Sequence, residues 1–300
     1  MKANWTDYKT HSRNIVSAQL SAEAQSKYNL FEDTPHNGTI DGFPVAVYIN
    51  NEFHGIYTCN IPKSDWLWNL DGDNPDNIAL MGELPNRDGL FQDEIKSWED
   101  GMSSWEVEVG EENQETIDKF NRVINFVKDS TDAEFVENFE EYINKDAMLN
   151  YIIMIYWING TDNLSRNMAI VTYDGKVWYP TLYDLDGSFG TNPYGGEATR
   201  FVDNLEEDRS ILFSRVSKLF KKEIAQRYFE LRENILTIEN TQNKFLNIMN
   251  KIPKEMYEQE NEKWDNPNTR GINEVEEYLN NRIEYLDNFM KENLEIVVKF

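Results

Sequence analysis

The chain has 300 residues, 40% hydrophobic and 13% aromatic, which is enough to bury a sizeable core and too apolar for a disordered chain. Its 29 basic and 54 acidic side chains give a formal charge of −25, a field that repels nucleic acid and anionic lipid and favours cations or basic partners. The single cysteine, Cys59, excludes an internal disulfide, and the longest apolar run, 147–158, falls short of the roughly 20 residues of a membrane span.

The N-terminal "MKANWTDYKTHSRN" lacks the apolar region of a secretory signal, so cytoplasmic synthesis without membrane attachment is expected. Apolar groups spaced by three and four predict a helix from about Trp5 to Tyr28. After the Pro/Gly-punctuated "EDTPHNGTIDGFP", two β-rich runs between Val45 and Ile61 flank Asn50-Asn51-Glu52, a hairpin signal. "DNIALMGE" and "SWEVEV" are further strand candidates. In "NQETIDKFNRVINFVKDS", Ile117, Phe120, Val123, Ile124 and Val127 fall on one helical face. "TDAEFVENFEEYI" opens with Thr131, and Glu134 follows three residues on, as in a capping box. "NKDAMLNYIIMIYWING" is apolar almost all round and is expected to be a central core helix. Beyond Gly196 the chain reads as helical, in "SILFSRVSKLFKKEIAQRYFELRENIL", "QNKFLNIMNKIPKEMYEQENEKW" and "INEVEEYLNNRIEYLDNFMKEN". No internal repeat or low-complexity tract interrupts it, and one α+β domain over 1–300 is the simplest expectation.

The densest polar cluster is "NGTDNLSRNMAIVTYDGKVWYPTLYDLDGSFG", 159–190. A buried helix ending at Gly160 delivers Asp162 into a loop, and Asn167 opens a strand. Asp174-Gly175 turns the chain, and a second strand, bent or at an edge because of Pro180, returns to Asp184 and Asp186. Residues two apart in an extended chain share a face, so these carboxylates, with the Asn167 amide oxygen, form a hard oxygen site suited to Mg²⁺ or Mn²⁺. Asn163 and Asp174 read as turn residues, and Asp186 reads equally as a cap for the turn at Gly187. Asp162, in the preceding loop, is free to orient a hydroxyl or accept its proton. Its spacing to Asn167 is that of the kinase catalytic loop D-x-x-x-x-N, followed by a metal-binding Asp after a hairpin.

"DNLSRNMAIVTYDGKVWYPTLYDLDGSFG" resembles the signature of the CotH-like spore-coat kinases. "VAVYINNEFHGIYTCNIPKSDWL" is similar to that family's strand-turn-strand, "ANWTDYKTHSRNIVSAQL" to its A-N-x-x-D helix, and "SKLFKKEIAQRYFELRENIL" to its C-terminal part. "NIPKSDWLWNL" is nearer to copies in phage and mobile-element structural proteins. The resemblance implies an atypical protein-kinase-like fold, with an N-lobe-like part over 1–110 and a helical C-lobe-like part over 111–300 carrying the hairpin at 159–190. It implies phosphoryl transfer from ATP, with Mg²⁺ or Mn²⁺, to Ser or Thr of a protein substrate, which the acidic surface predicts to be basic. Asp162 would be the catalytic Asp, Asn167 and Asp184 metal ligands, and Asp186 an auxiliary ligand.

The sequence also departs from the family. Members usually carry further strands and a Lys-rich segment before the A-N-x-x-D helix, and often an acidic residue where Asn60 stands. No Lys–Glu pair for the phosphates stands out. Lys63 is the basic residue close behind the Gly55-Ile56-Tyr57 strand, and Arg13 reads either as a phosphate contact or as a structural ion pair. A catalytically weak kinase-like module, serving as a structural or binding protein of a spore coat or phage particle, is the alternative. A glycosidase is disfavoured, because Asp184 and Asp186 share one strand end rather than flanking a bond. His11, His36 and His54 lack metal-ligand spacing, and no G-x-S-x-G, CxxC or P-loop occurs. "DGDNPDN" lacks a calcium loop's acidic twelfth position, where Gly82 stands, and reads as a turn.

Overall fold

The computed structural model describes residues 1–99, 101–192, 194–264 and 270–295. Its elements in chain order are α1 (Arg13–Lys27), the hairpin β1 (Gly42–Ile49) and β2 (Glu52–Asn60), the single turn α2 (Asp65–Trp68), β3 (Ile78–Gly82) and β4 (Trp105–Val109). Then follow α3 (Gln114–Asp129), α4 (Asp132–Asn138), α5 (Lys145–Ile158), β5 (Met168–Thr172) and β6 (Trp178–Leu182). The chain continues with α6 (Ile211–Leu219), α7 (Lys221–Arg232), α8 (Ile238–Met249), α9 (Lys254–Lys263) and α10 (Ile272–Glu295). The fold is α+β, with two small antiparallel sheets and a largely helical C-terminal half.

β1 and β2 form a two-stranded sheet, bridged at its β2 edge by Lys2 and closed by a turn in which Asn50 (φ 52°) and Asn51 (φ 66°) are both left-handed. Two consecutive positive φ values are what a two-residue turn needs to match strand twist, and Asn tolerates them. The second sheet runs β4-β3-β5-β6, antiparallel throughout. Pro180 lies in β6, an edge strand where its missing N–H costs no ladder bond.

α5 is the hub of the core. Every residue from Ala147 to Ile158 is buried, and the helix packs against α1, α7, α10 and β6. A helix apolar all round has no face to give to water, so neighbours must cover it. Asn144 caps its start by accepting from Ala147 N–H at 2.9 Å, and Asn159, left-handed at φ 59°, ends it. The capping box of Thr131 and Glu134 forms at the start of α4.

Three expected helices differ in extent. The first begins at Arg13, because left-handed Asn4 (φ 49°) and His11 (φ 48°) break the run and leave a 3-10 turn over Trp5–Asp7. Buried Asp7 caps α1 by accepting from the N–H groups of Ser12 and Arg13, each at 2.8 Å. The helical run after Ser210 divides at Phe220 into α6 and α7. Pro253 divides the next into α8 and α9, since its ring and missing N–H end a helix. No helix among the described residues is long and apolar enough to cross a membrane.

Candidate functional site

The polar cluster is assembled by the end of α5, the loop 159–167 and the far end of β6. Asn163 is its staple. Its amide donates to the carbonyls of Asn167 (3.2 Å) and Tyr183 (2.9 Å), and its own carbonyl accepts from the Tyr151 hydroxyl at 2.6 Å. Buried in this way, Asn163 ties the loop to β6 as a turn residue should. Asp174 has the same kind of task at the other end of the hairpin, where Oδ1 accepts from Lys176 and Val177 N–H.

Asn167 (φ 53°) and Asp184 (φ 48°) are both left-handed and adjoin each other across the strand ends. Asn167 N–H donates to Gly82 O at 2.8 Å, its carbonyl accepts from Tyr183 N–H at 3.0 Å, and its side-chain nitrogen reaches Asp184 O at 3.4 Å. With the nitrogen so used, the amide oxygen is the end left for a ligand. Asp184 and Asp186 converge, but not by strand alternation, because β6 stops at Leu182 and the left-handed turn at Asp184 redirects the chain. Asp and Asn are the non-glycine residues that adopt this region at least cost.

Between the two carboxylates sits a cation, the ammonium of Lys2. It is ion-paired with Asp184 and lies 3.0 Å from Asp186 Oδ2. Thr6 donates its hydroxyl to the same Asp186 oxygen at 2.9 Å. Burial works against the charge on Lys2, but Asp186 and Asp184 outweigh it and hold the ammonium's pKa above its ordinary value. Asp162 faces the pair from the loop. Its carboxyl is pushed up, first by burial and then by Asp186 and Asp184, against an opposing pull from Arg166. Two carboxylates sharing one cation, with the Asp162 carboxyl near enough to feel their charge, offer the hard oxygen ligands that suit a divalent ion such as Mg²⁺ or Mn²⁺.

α1 holds this segment from behind. Leu185, buried between the two aspartates, donates its N–H to Asn14 Oδ1 at 2.8 Å. Ser17 and Ser188 share a 3.1 Å hydrogen bond. Arg13 is fully buried, ion-paired with Asp7, and donates to Ser188 O (3.2 Å) and Arg270 O (3.0 Å). Lys63 is held by carboxylates. It pairs with Glu108 of β4 and with Glu83 (3.4 Å), and lies 5.7 Å from the centre of the Tyr183 ring. Glu83, Glu106 and Glu108 bring ligand oxygens within 4.8 Å of one another, a second acidic cluster whose cation here is Lys63. A polar cavity of 240 Å³ opens onto Asp184, between Asn60, Ile61 and Pro62 on one side and Tyr183 on the other.

Asp184 and Asp186 therefore share one cation, Asn167 adjoins Asp184, and Asp162 lies within range of their charge. Arg13 packs behind the D-L-D segment, and Lys63 pairs with Glu83 and Glu108. Sequence reasoning missed Lys2, Thr6 and Asn14. The signal that could have found them is "KANWTDYKTHSRN" itself, whose polar residues have no helical face to serve.

A carboxylate pair after a β-hairpin, with an Asp and an Asn on the loop before it, built on a small antiparallel sheet and a helical body, defines a kinase-like protein. The chain belongs to the CotH kinase protein family, whose model matches residues 2–297. No curated protein matches it.

Proposed function

We propose that the protein transfers the γ-phosphoryl group of ATP to a Ser or Thr hydroxyl of a basic protein substrate, with Mg²⁺ or Mn²⁺ at the Asp184–Asp186 pair. The observation that carries this reading is the pairing of Asp184 and Asp186 on one cation, with Asp162 within range of their charge, in a chain of a kinase family. A divalent ion held there by these carboxylates would offset the charge of the phosphates.

The chain's own groups do the rest. Asp162 orients the acceptor hydroxyl and takes its proton as the new O–P bond forms and the bond to the ADP oxygen breaks. The raised pKa of Asp162 makes it a better proton acceptor than an ordinary carboxylate. Asn167 and Asp184 are the metal ligands, and Asp186, steadied by Thr6, supports them. Arg13 and Asn14 hold the D-L-D segment in position rather than touching nucleotide. Lys63 reaches the phosphate side through Tyr183, steadied by Glu108 and Glu83. The surface charge of −25 supports a basic substrate, because opposite charge speeds encounter and orients it.

Incubation with labelled ATP, Mn²⁺ or Mg²⁺ and a basic Ser-rich peptide tests the reading. Transfer that disappears in Asp162→Ala and Asp184→Ala is expected, as is a nucleotide-dependent rise in Tm. Absence of both transfer and the Tm rise would sink it, and a salt-insensitive KM for the peptide would remove the basic-substrate part.

The second reading is a catalytically weak module with a structural or binding role in a coat or particle. It is favoured by the Lys2 ammonium lying in the cation seat and by a cavity of 240 Å³, below the ~300–1,000 Å³ of most small-molecule sites.

A further inference from the structure

Lys2 is not a loose end that happens to touch two carboxylates. Its backbone is hydrogen-bonded to the edge of β2, N–H to Thr58 O at 2.8 Å and carbonyl from Thr58 N–H at 2.9 Å. Two residues on, Asn4 is buried and donates to Thr58 Oγ1 at 3.0 Å. The root of the side chain is thus fixed, and the four-carbon stem carries the ammonium to the point between Asp184 and Asp186. Thr6, in the same segment, donates its hydroxyl to the Asp186 oxygen that the ammonium also meets. The N-terminal segment therefore serves the acidic pair with two side chains, one charged and one hydroxyl.

Electrostatics explains why a cation belongs there. Asp184 and Asp186 both reach the Lys2 ammonium, and two negative charges held this close repel unless a cation lies between them. A single ammonium cancels one of the pair's two negative charges. A divalent ion would cancel two and take several oxygens at once, so it wins the seat when its concentration suffices. An ammonium on a flexible stem can swing aside without moving its backbone. The 240 Å³ cavity that Lys2 itself lines, with Asn60 and Tyr183, gives it room.

We propose that Lys2 is the resident cation of the Asp184–Asp186 seat, and that a divalent metal loads by displacing its ammonium into the adjoining cavity, so that Lys2 sets the metal concentration at which the site fills. The inference rests on reading the pair as a metal seat, but not on phosphoryl transfer.

The test is a Mn²⁺ titration of nucleotide-free protein, followed by electron paramagnetic resonance of the free ion, on wild type, Lys2→Met and Lys2→Arg. Removing the competing charge is expected to tighten Mn²⁺ binding by ~10-fold or more in Lys2→Met, whereas Lys2→Arg, which keeps the cation, stays within ~3-fold of wild type. Should Lys2→Met fold poorly, wild type alone decides, because acylation of the Lys2 amine by a lysine-selective reagent should speed up when Mn²⁺ is added. Equal or weaker Mn²⁺ binding in Lys2→Met, no Mn²⁺ binding in any variant, or Lys2 acylation indifferent to Mn²⁺ overturns the proposal. Transfer activity is not read in any arm. A protein that shows the Lys2 effect but transfers no phosphate keeps this inference and loses the proposed function, and the reverse result does the opposite.

Discussion

Asn14 in α1 accepts, on its side-chain oxygen, a 2.8 Å hydrogen bond from the backbone N–H of Leu185, the residue between the two clustered aspartates. Both partners are buried, so that N–H has no water to turn to if Asn14 is lost. A leucine at 14 keeps the bulk and removes the acceptor. Asn14→Leu should cost ~1–3 kcal/mol of stability in urea unfolding, the usual penalty for a buried donor left unpaired. It should also weaken Mn²⁺ binding, since the turn carrying Asp184 and Asp186 loses its anchor. Wild-type stability together with wild-type Mn²⁺ affinity would show that α1 does not position the site.

Asp162 makes a pH prediction with a definite sign. Its folded pKa is raised, mainly by burial, so the ionised form costs the fold stability, fully so above the folded pKa. Below its unfolded pKa the group is protonated in both states and costs nothing. Asp162→Asn should therefore raise Tm at pH 7 while abolishing transfer. The gain should shrink as pH falls through the raised folded value toward the ordinary carboxylate range. Melting curves of both proteins from pH 7 to pH 4 check this, and a gain that grows with acidity would contradict it.

Asn163 joins two strand ends that would otherwise part. Asn163→Ala removes both of its donors from half-buried carbonyls, one of which keeps the Tyr183 N–H, and a loss of ~1–2 kcal/mol is expected. Because the loop carrying Asp162 is freed rather than deleted, kcat should fall more than the KM for peptide changes. Steady-state kinetics beside a denaturation curve separate the two effects.

Lys63 distinguishes structure from function by magnitude. Its pairs with Glu83 and Glu108 are partly exposed, and such pairs contribute only ~0–1 kcal/mol. Lys63→Met should leave stability within that range. If the ammonium meets nucleotide phosphate, the KM for ATP should rise several-fold with the peptide KM unchanged. An unaltered KM for ATP would assign Lys63 to the glutamate cluster alone.

Much of this was legible in the residues, where the physics is local. The burial of α5 follows from its lack of a polar face, the β1–β2 turn from two asparagines that accept positive φ, and the α4 start from Thr131 and Glu134. The hairpin that carries Asn167 at one end and Asp184 at the other follows from one helix end and one Asp-Gly turn, all within 25 residues of chain. Two local readings failed because a single side chain or φ value overrode periodicity. Asp7 and left-handed His11 delay α1, and left-handed Asp184 replaces the extended strand end.

What only the tertiary structure decided is what meets that hairpin from far along the chain. Lys2 reaches Asp184 across 182 positions, Asn14 reaches Leu185 across 171, and β3 comes to lie beside β5. Spacing and pattern register neighbours along the chain, whereas these contacts depend on how α1 packs on α5 and on which strand edge the N-terminal segment pairs with. The sequence determined that oxygen-bearing side chains gather around one hairpin. The fold decided that a lysine ammonium sits between two of them and that a helix 170 residues upstream holds their segment in place.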